Sequence, residues 1–347
     1  MVAASRRLRC GTVSKQAAMP RANRGHRGAS LDWAYRPTTG WTKVRYGYGR
    51  GGDHDMTRAT LNLLAQRETT RREILHKSDL IPPLPDLVMR VLGMLNEPTT
   101  EPEDLQGLVQ NDQVLVAKML ATVNSAFYGL NRPIRSIKEA VMVLGFRGVR
   151  SLVLATSTAR LMQRDFRAYG HEPFGLWAHA VVVAAGGRRL ATACRFSPDE
   201  AEAAFIAGLL HDIGKLLLVG YLGDMPTMRG TLAELCEQER RHIGLDHAEA
   251  GGLVVARWNL APEIQEVFQL SLAEGAQPSR LAAAVRVAEA FAHERSIGFL
   301  PGMQPAVEYR PDDFAVLGLD DARWSVLRDD LVKAMDGALA AFSKLGS

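Results

Sequence analysis

From Met56 onward, apolar residues recur every three or four positions, the spacing of one buried helix face. No stretch alternates convincingly as a half-buried strand in a hairpin would. Leu84, Leu87, Val88, Val91, Leu92 and Leu95 form a first stripe, closed by Pro98. The segments "EPEDLQGLVQND" and "QVLVAKMLATVNSAFYG" predict two more helices, the second running to Gly129. Ser136 and Glu139 in "SIKEAVMVLG" have capping-box spacing before an apolar run and a glycine stop, and "VRSLVLATSTARLMQ" predicts a longer helix behind it.

The second half opens with the helical run "FGLWAHAVVVAAGGRRLA". In "SPDEAEAAFIAGLLHDIG", Ser197 reads as N-cap, Pro198 as first helical residue and Glu200 as the reciprocal cap, so the helix delivers His211 and Asp212 at its C-terminal end. Further helices follow in "DHAEAGGLVVARWNL", in "LAAAVRVAEAFAHER" and after Asp320 or Asp321. In the last, Trp324, Leu327, Leu331, Ala334 and Met335 form a face expected to pack on the core. The predicted class is all-α, without internal repeats.

Residues 1–55 show neither helical nor strand period and are rich in Arg, Gly, Ser and aromatics. They hold eleven Lys/Arg against three Asp, a charge of +8, so the remainder of a chain with net charge +4 carries −4. The folded part is mildly acidic, which argues against a DNA- or RNA-binding face there. Nucleic-acid contact is left to the tail, where "RYGYGRGG" resembles an RGG segment and Gly47, Gly49 and Gly52 match a dinucleotide motif without its βαβ context. The tail reads as disordered, with Met56 an alternative start. The domain expectation is therefore tail 1–55, a helical domain at 56–295, and a C-terminal loop and helix at 296–347.

No uninterrupted apolar run reaches 18 residues, and no apolar segment follows the basic N-terminus as in a secretory leader. Cys10, Cys194 and Cys236 lie far apart without C-x-x-C spacing, so neither a disulfide framework nor a thiolate zinc site is indicated, and Cys194 and Cys236 read as small buried apolar residues. A cytoplasmic protein without membrane contact is expected.

The chemistry concentrates in "AGLLHDIGKLLL". Adjacent His and Asp side chains on a helix diverge by about 100°, so both reach a cation beside it. Imidazole and carboxylate suit Mn, Fe, Zn or Mg, any of which acidifies water for attack on a phosphate ester. Two ligands are too few. The further candidates are His179 in "LWAHAV", His247 in "GLDHAEAGG" and Glu289 in "RVAEAFAHE".

This order, together with "IPPLPDLVMRVLGMLNEP", the long stretch "NDQVLVAKMLATVNSAFYGLNRPIRSIKEAVMVLGFRGVRSLVL" and "LDHAEAGGLVVARWNLAPEI", resembles the HDOD family, the signalling-associated branch of the HD-domain superfamily. The likeness runs over roughly residues 74–290. It implies an HD-like bundle in two packed helical halves. In hydrolytic relatives a first His, a His-Asp pair and a late Asp hold metal. His179, His211 and Asp212 match the first three, Glu289 stands at the late Asp, and Lys215 matches a lysine that would steady a phosphate oxygen. The branch that cleaves cyclic dinucleotides adds one His, matched by His247, and a His-His pair and Gly-Tyr-Pro signature that are not found. The pair falls near Ser271 and Leu272. Serine and leucine cannot replace two imidazoles, and a Glu in place of Asp displaces the carboxylate by about 1.5 Å, against a metal–oxygen bond near 2.1 Å.

HDOD proteins are commonly regarded as non-catalytic. The resemblance implies a regulatory module that contacts a signalling protein or a small nucleotide, through the groove around "AFYGLNRPIRS", with a degenerate metal site. In that reading Asp212 accepts hydrogen bonds from His179 or His211 and locks helices together, and no cofactor is needed beyond at most one divalent ion. The alternative is a metal-dependent phosphohydrolase acting on nucleotides or cyclic nucleotides.

Overall fold

The computed structural model describes residues 31–36, 40–45, 65, 67–74, 84–95, 97, 99–223, 226–270, 279–342 and 345. Its backbone separates into two units, Met1–Thr60 and Leu61–Ser347. In the first, β1 (Leu31–Arg36) and β2 (Gly40–Arg45) pair antiparallel, with Leu31 opposite Arg45 and Arg36 opposite Gly40. The rest of residues 1–55 lies outside the described residues. Trp33, Tyr35, Trp41, Thr42 and Val44 are strong strand formers. "RYGYGRGG" and Met56 lie outside the described residues.

The second unit is helical, with one isolated bridge between His171 and Phe299. Its N-terminal half comprises α1 (Asp86–Met94), α2 (Pro102–Val109), α3 (Gln113–Val123) and α4 (Ile137–Thr158). The apolar stripe read in the sequence is the buried face of α1, with Val88, Val91 and Leu92 in the core. α3 stops at Val123, six residues short of the expected end. The amide of Asn124 accounts for this, donating to the Ile134 carbonyl at 2.8 Å and accepting from the Ile134 N–H at 2.6 Å. That clamp folds the chain back and leaves Ala126–Tyr128 as one 3₁₀ turn. Ser136 caps α4 through the Glu139 N–H as expected, and Gly145 at φ 70° breaks α4 into two segments.

The C-terminal half is built around α5 (Gly175–Ala193), which packs against α6 (Pro198–Leu210), α11 (Arg280–Glu294) and α13 (Asp321–Phe342). Between them lie α7 (Lys215–Leu218), α8 (Leu232–His242), α9 (His247–Arg257), α10 (Pro262–Leu270) and α12 (Pro311–Leu317). The predicted capping box of α6 is present, with Ser197, Pro198 and Glu200 in their expected roles. Asp320 rather than Asp321 caps α13, accepting from the Arg323 N–H at 2.8 Å. Leu327, Leu331 and Met335 of α13 are buried, as its apolar face requires.

Small residues set how closely α5 and α6 cross. A Cβ at Gly208 would lie 2.9 Å from the backbone of Ala184, and one at Gly187 3.1 Å from the Ala204 carbonyl. This near-contact of backbones brings the two histidine-bearing helices together. Residues 137–163 and 198–221 are each long and apolar enough to cross a bilayer, which a count of unbroken apolar runs does not detect. Of their most apolar windows, 56% and 78% respectively are buried within the fold, so that apolarity is used in the core.

Candidate metal centre

Four helical segments converge on Asp212. α5 contributes His179, the end of α6 supplies His211 and Asp212, α9 begins with His247, and α11 carries Glu289 and His293. His179, Asp212, His247, Glu289 and His293 are all buried. Asp212 Oδ2 lies 3.4 Å from His211 Nε2 and 3.9 Å from His179 Nε2, and His211 Nε2 is 3.9 Å from Glu289 Oε1. Donor atoms of His179, His211 and Glu289 all fall within 4.8 Å of one another, so the added methylene of Glu289 leaves its carboxylate inside the group.

His247 is oriented differently. Its Nε2 is 3.7 Å from Asp212 Oδ1, while its Nδ1–H donates to Glu239 Oε2 at 2.7 Å, outside the cluster. Lys215 departs most from expectation. Instead of facing a phosphate, its ammonium is buried, donates to Asp212 Oδ2 at 2.7 Å and sits 5.1 Å from the Tyr169 ring centroid. The stretch containing Ser271 and Leu272 lies outside the described residues.

The expected hydrogen bonds from histidine to Asp212 are not formed. His179 Nδ1 and Nε2, His211 Nε2 and Asp212 Oδ1 are buried without a hydrogen-bond partner. His211 Nδ1–H donates to the Gly208 carbonyl at 2.7 Å, and its Nε2 faces the carboxylates of Asp212 and Glu289. Unpartnered buried polar atoms cost on the order of 1–3 kcal/mol each. Two imidazole nitrogens and two carboxylates facing one another are a donor set for one divalent ion. The residues therefore fit a single ion held by His179, His211, Asp212 and Glu289.

Charge in the cluster follows from burial and neighbours. Burial and the adjacent His293 and His211 hold His179 far below the usual imidazole range. At His211 burial opposes protonation, but Asp212 and Glu289 outweigh it and raise the ring. Asp212 is held well below the carboxylate range, because Lys215 and His211 overcome its burial, whereas burial raises Glu289. His247 is raised well above the ordinary value, since Glu239 outweighs the effect of burial.

Two histidines outside the motif complete the chamber. His171 donates through Nδ1 to the Gly298 carbonyl at 3.0 Å and stacks on Phe299, and His293 lies parallel to His179 with ring centroids 5.0 Å apart. His293 follows Glu289 by four residues, one helical turn, and that spacing was the available signal. His171 has none, since its partner lies 127 residues away.

Burial, with Lys215 nearby, lowers both His171 and His293 to about 3. In the unfolded chain they titrate near the usual value of about 6.5. Between these values the unfolded state binds more protons, so stability rises with pH and is progressively lost as pH falls from about 6.5 toward 3. Each ring contributes about 1.4 kcal/mol per pH unit across that window. Calorimetric unfolding at pH 5 is expected to take up about one proton fewer in His293→Gln than in the wild type. Equal uptake would mean that His293 is protonated in the fold.

These features define an HD-like helical protein with one buried His/Asp/Glu centre. The HDOD domain model matches residues 81–271, and the chain belongs to that family. It is 30% identical over 213 residues to an uncharacterised protein of Treponema pallidum (strain Nichols), a match covering 57% of this chain but only 39% of that relative. An HDOD domain protein of unknown function from Geobacter sulfurreducens superposes with a TM-score of 0.60 at 28% identity, covering 81% of this chain and 99% of that one. A structure named as a candidate phosphohydrolase from Shewanella amazonensis SB2B gives 0.58 at 24% identity, over 79% of this chain and 98% of that one. One named as a candidate signal transduction protein from Marinobacter aquaeolei VT8 gives 0.61 at 20%, over 82% and 67%. The last two share the fold.

Proposed function

We propose that this chain is a regulatory HDOD module that acts by binding a signalling partner or small ligand, at a surface apart from its buried His/Asp/Glu cluster. The observation that carries this reading is the separation of the cluster from the open surface. The donors around Asp212 are buried, and Lys215 already holds the central carboxylate. A cleft of about 1160 Å³ lies elsewhere, between the two helical halves, lined by Ala126 and Phe127, the α4 break at Gly145, and residues of α5, α6 and α13. At its wall Arg188 pairs with Glu202 at 3.1 Å and covers the Phe127 ring at 4.6 Å. Convergent polar groups over aromatic walls in a cleft of this size suit ligand or partner contact.

A divalent ion at His179, His211, Asp212 and Glu289 would supply cross-linking between α5, α6 and α11, and Lewis acidity if a substrate reached it. The chain's own residues restrict that access, since Lys215 pairs with Asp212 and the His171, His179 and His293 rings around it are buried. Purified protein incubated with Mn²⁺ and a panel of nucleotides and cyclic dinucleotides is expected to show background turnover, equal to that of Asp212→Asn. Metal-dependent turnover that is lost in Asp212→Asn would favour the phosphohydrolase instead.

A further inference from the structure

On the far side of His247 lies a group of donors that the Asp212 cluster does not use. Cys236 and Glu239 are three residues apart on α8 and so share one helix face. His247 opens α9, and all three side chains are buried. Besides its bond to the ring, Glu239 Oε2 accepts from the His247 backbone N–H at 2.9 Å, and Cys236 Sγ lies 3.8 Å from the same ring nitrogen. One sulfur, one nitrogen and one oxygen donor thus lie within 4.8 Å of one another.

A histidine–glutamate pair alone would require neither the cysteine nor the second carboxylate oxygen. Glu239 Oε1 is buried without a hydrogen-bond partner. Cys236 is a free thiol placed with its sulfur toward the ring rather than packed only as a small apolar residue.

We infer that Cys236, Glu239 and His247 form a second metal site, for a thiophilic divalent ion of the zinc type, that ties α8 to α9. Thiolate with imidazole selects Zn²⁺, Fe²⁺ or Co²⁺ over Mg²⁺ or Ca²⁺. A divalent cation with a thiolate, a carboxylate and a neutral imidazole is an uncharged unit, which is the state a fully buried site favours. With the ion on Nδ1, the ring carries its hydrogen on Nε2, 3.7 Å from Asp212 Oδ1, an oxygen that otherwise has no hydrogen-bond partner. His247 would then connect this tie to the centre at Asp212 without being shared by both ions. The site is independent of whether the Asp212 centre turns over substrate.

Cobalt separates the two sites, because the Asp212 cluster contains no sulfur. Full-length protein, stripped with chelator and titrated with Co²⁺, is expected to show a near-ultraviolet thiolate-to-cobalt charge-transfer band. The band should persist in His211→Ala and vanish in Cys236→Ser, with helical circular dichroism unchanged. Cys236→Ala serves as the second variant should serine not be accommodated. Absence of the band in folded wild type would overturn the inference, as would its persistence in a folded Cys236 variant. Cobalt binding without a band, lost in both His211→Ala and His247→Ala, would likewise overturn it and assign His247 to the Asp212 centre, with Glu239 orienting its ring.

Discussion

Replacing Asp212 by alanine is expected to destabilise the fold by about 3–5 kcal/mol in chelator-treated buffer, measured by urea unfolding. That is the effect of stranding a buried charge whose partner has been removed. Lys215 is 2% exposed, and its ammonium donates to Asp212 Oδ2 at 2.7 Å. If this pair is the main effect, the loss should be conditional on the lysine. Lys215→Met keeps the stem and removes the charge, so the double variant Asp212→Ala, Lys215→Met should recover most of the lost stability. A coupling of about 2 kcal/mol or more between the two positions is expected, since they are in direct contact. Additive effects would show that Lys215 finds another counter-charge when Asp212 is absent.

Gly214→Ala is expected to be as damaging or worse, by about 4 kcal/mol or more, or to prevent folding. The reason is steric and involves backbone on both sides. An added Cβ would stand 1.9 Å from the His247 carbonyl oxygen and 2.5 Å from the Gly251 nitrogen. Neither atom belongs to a side chain that could rotate away, and strain of this kind lies in the extreme tail of single-substitution effects. Gly107→Ala provides the control within the same protein. Gly107 lies in α2, is exposed and has nothing within 4 Å of an added methyl, so alanine there should stabilise by roughly 0.5–1 kcal/mol through helix propensity. A loss below about 1 kcal/mol in Gly214→Ala would mean that α9 can withdraw from the His-Asp turn, and the close approach would not be what positions His247.

The two substitutions address the same stretch, "HDIGK", from different sides. Asp212 and Lys215 supply the charges, and Gly214 lets α9 approach near enough for His247 to face Asp212. The glycine is thus part of the centre although it carries no ligand.

Much of the local structure was legible because its causes lie within four residues of one another. The box formed by Ser197, Pro198 and Glu200 is one example, and the buried stripe of α1 another. The helix stop at Asn124 was not legible, because its cause is a hydrogen-bonded clamp onto Ile134 ten residues away.

For the centre, the chain order of His179, His211, Asp212, His247 and Glu289 marked the residues through a family pattern. It said nothing of which atoms face each other. Sequence by itself determined the helices, their caps and the residue types available for chemistry, since propensity, capping and periodicity act over one or two turns. Tertiary structure alone decided that Lys215 turns inward onto Asp212, that His171 and His293 join the chamber, and that Cys236 and Glu239 meet His247. Those outcomes depend on how closely helices cross, at Gly187, Gly208 and Gly214, and on burial that leaves a charged or polar atom no water to turn to.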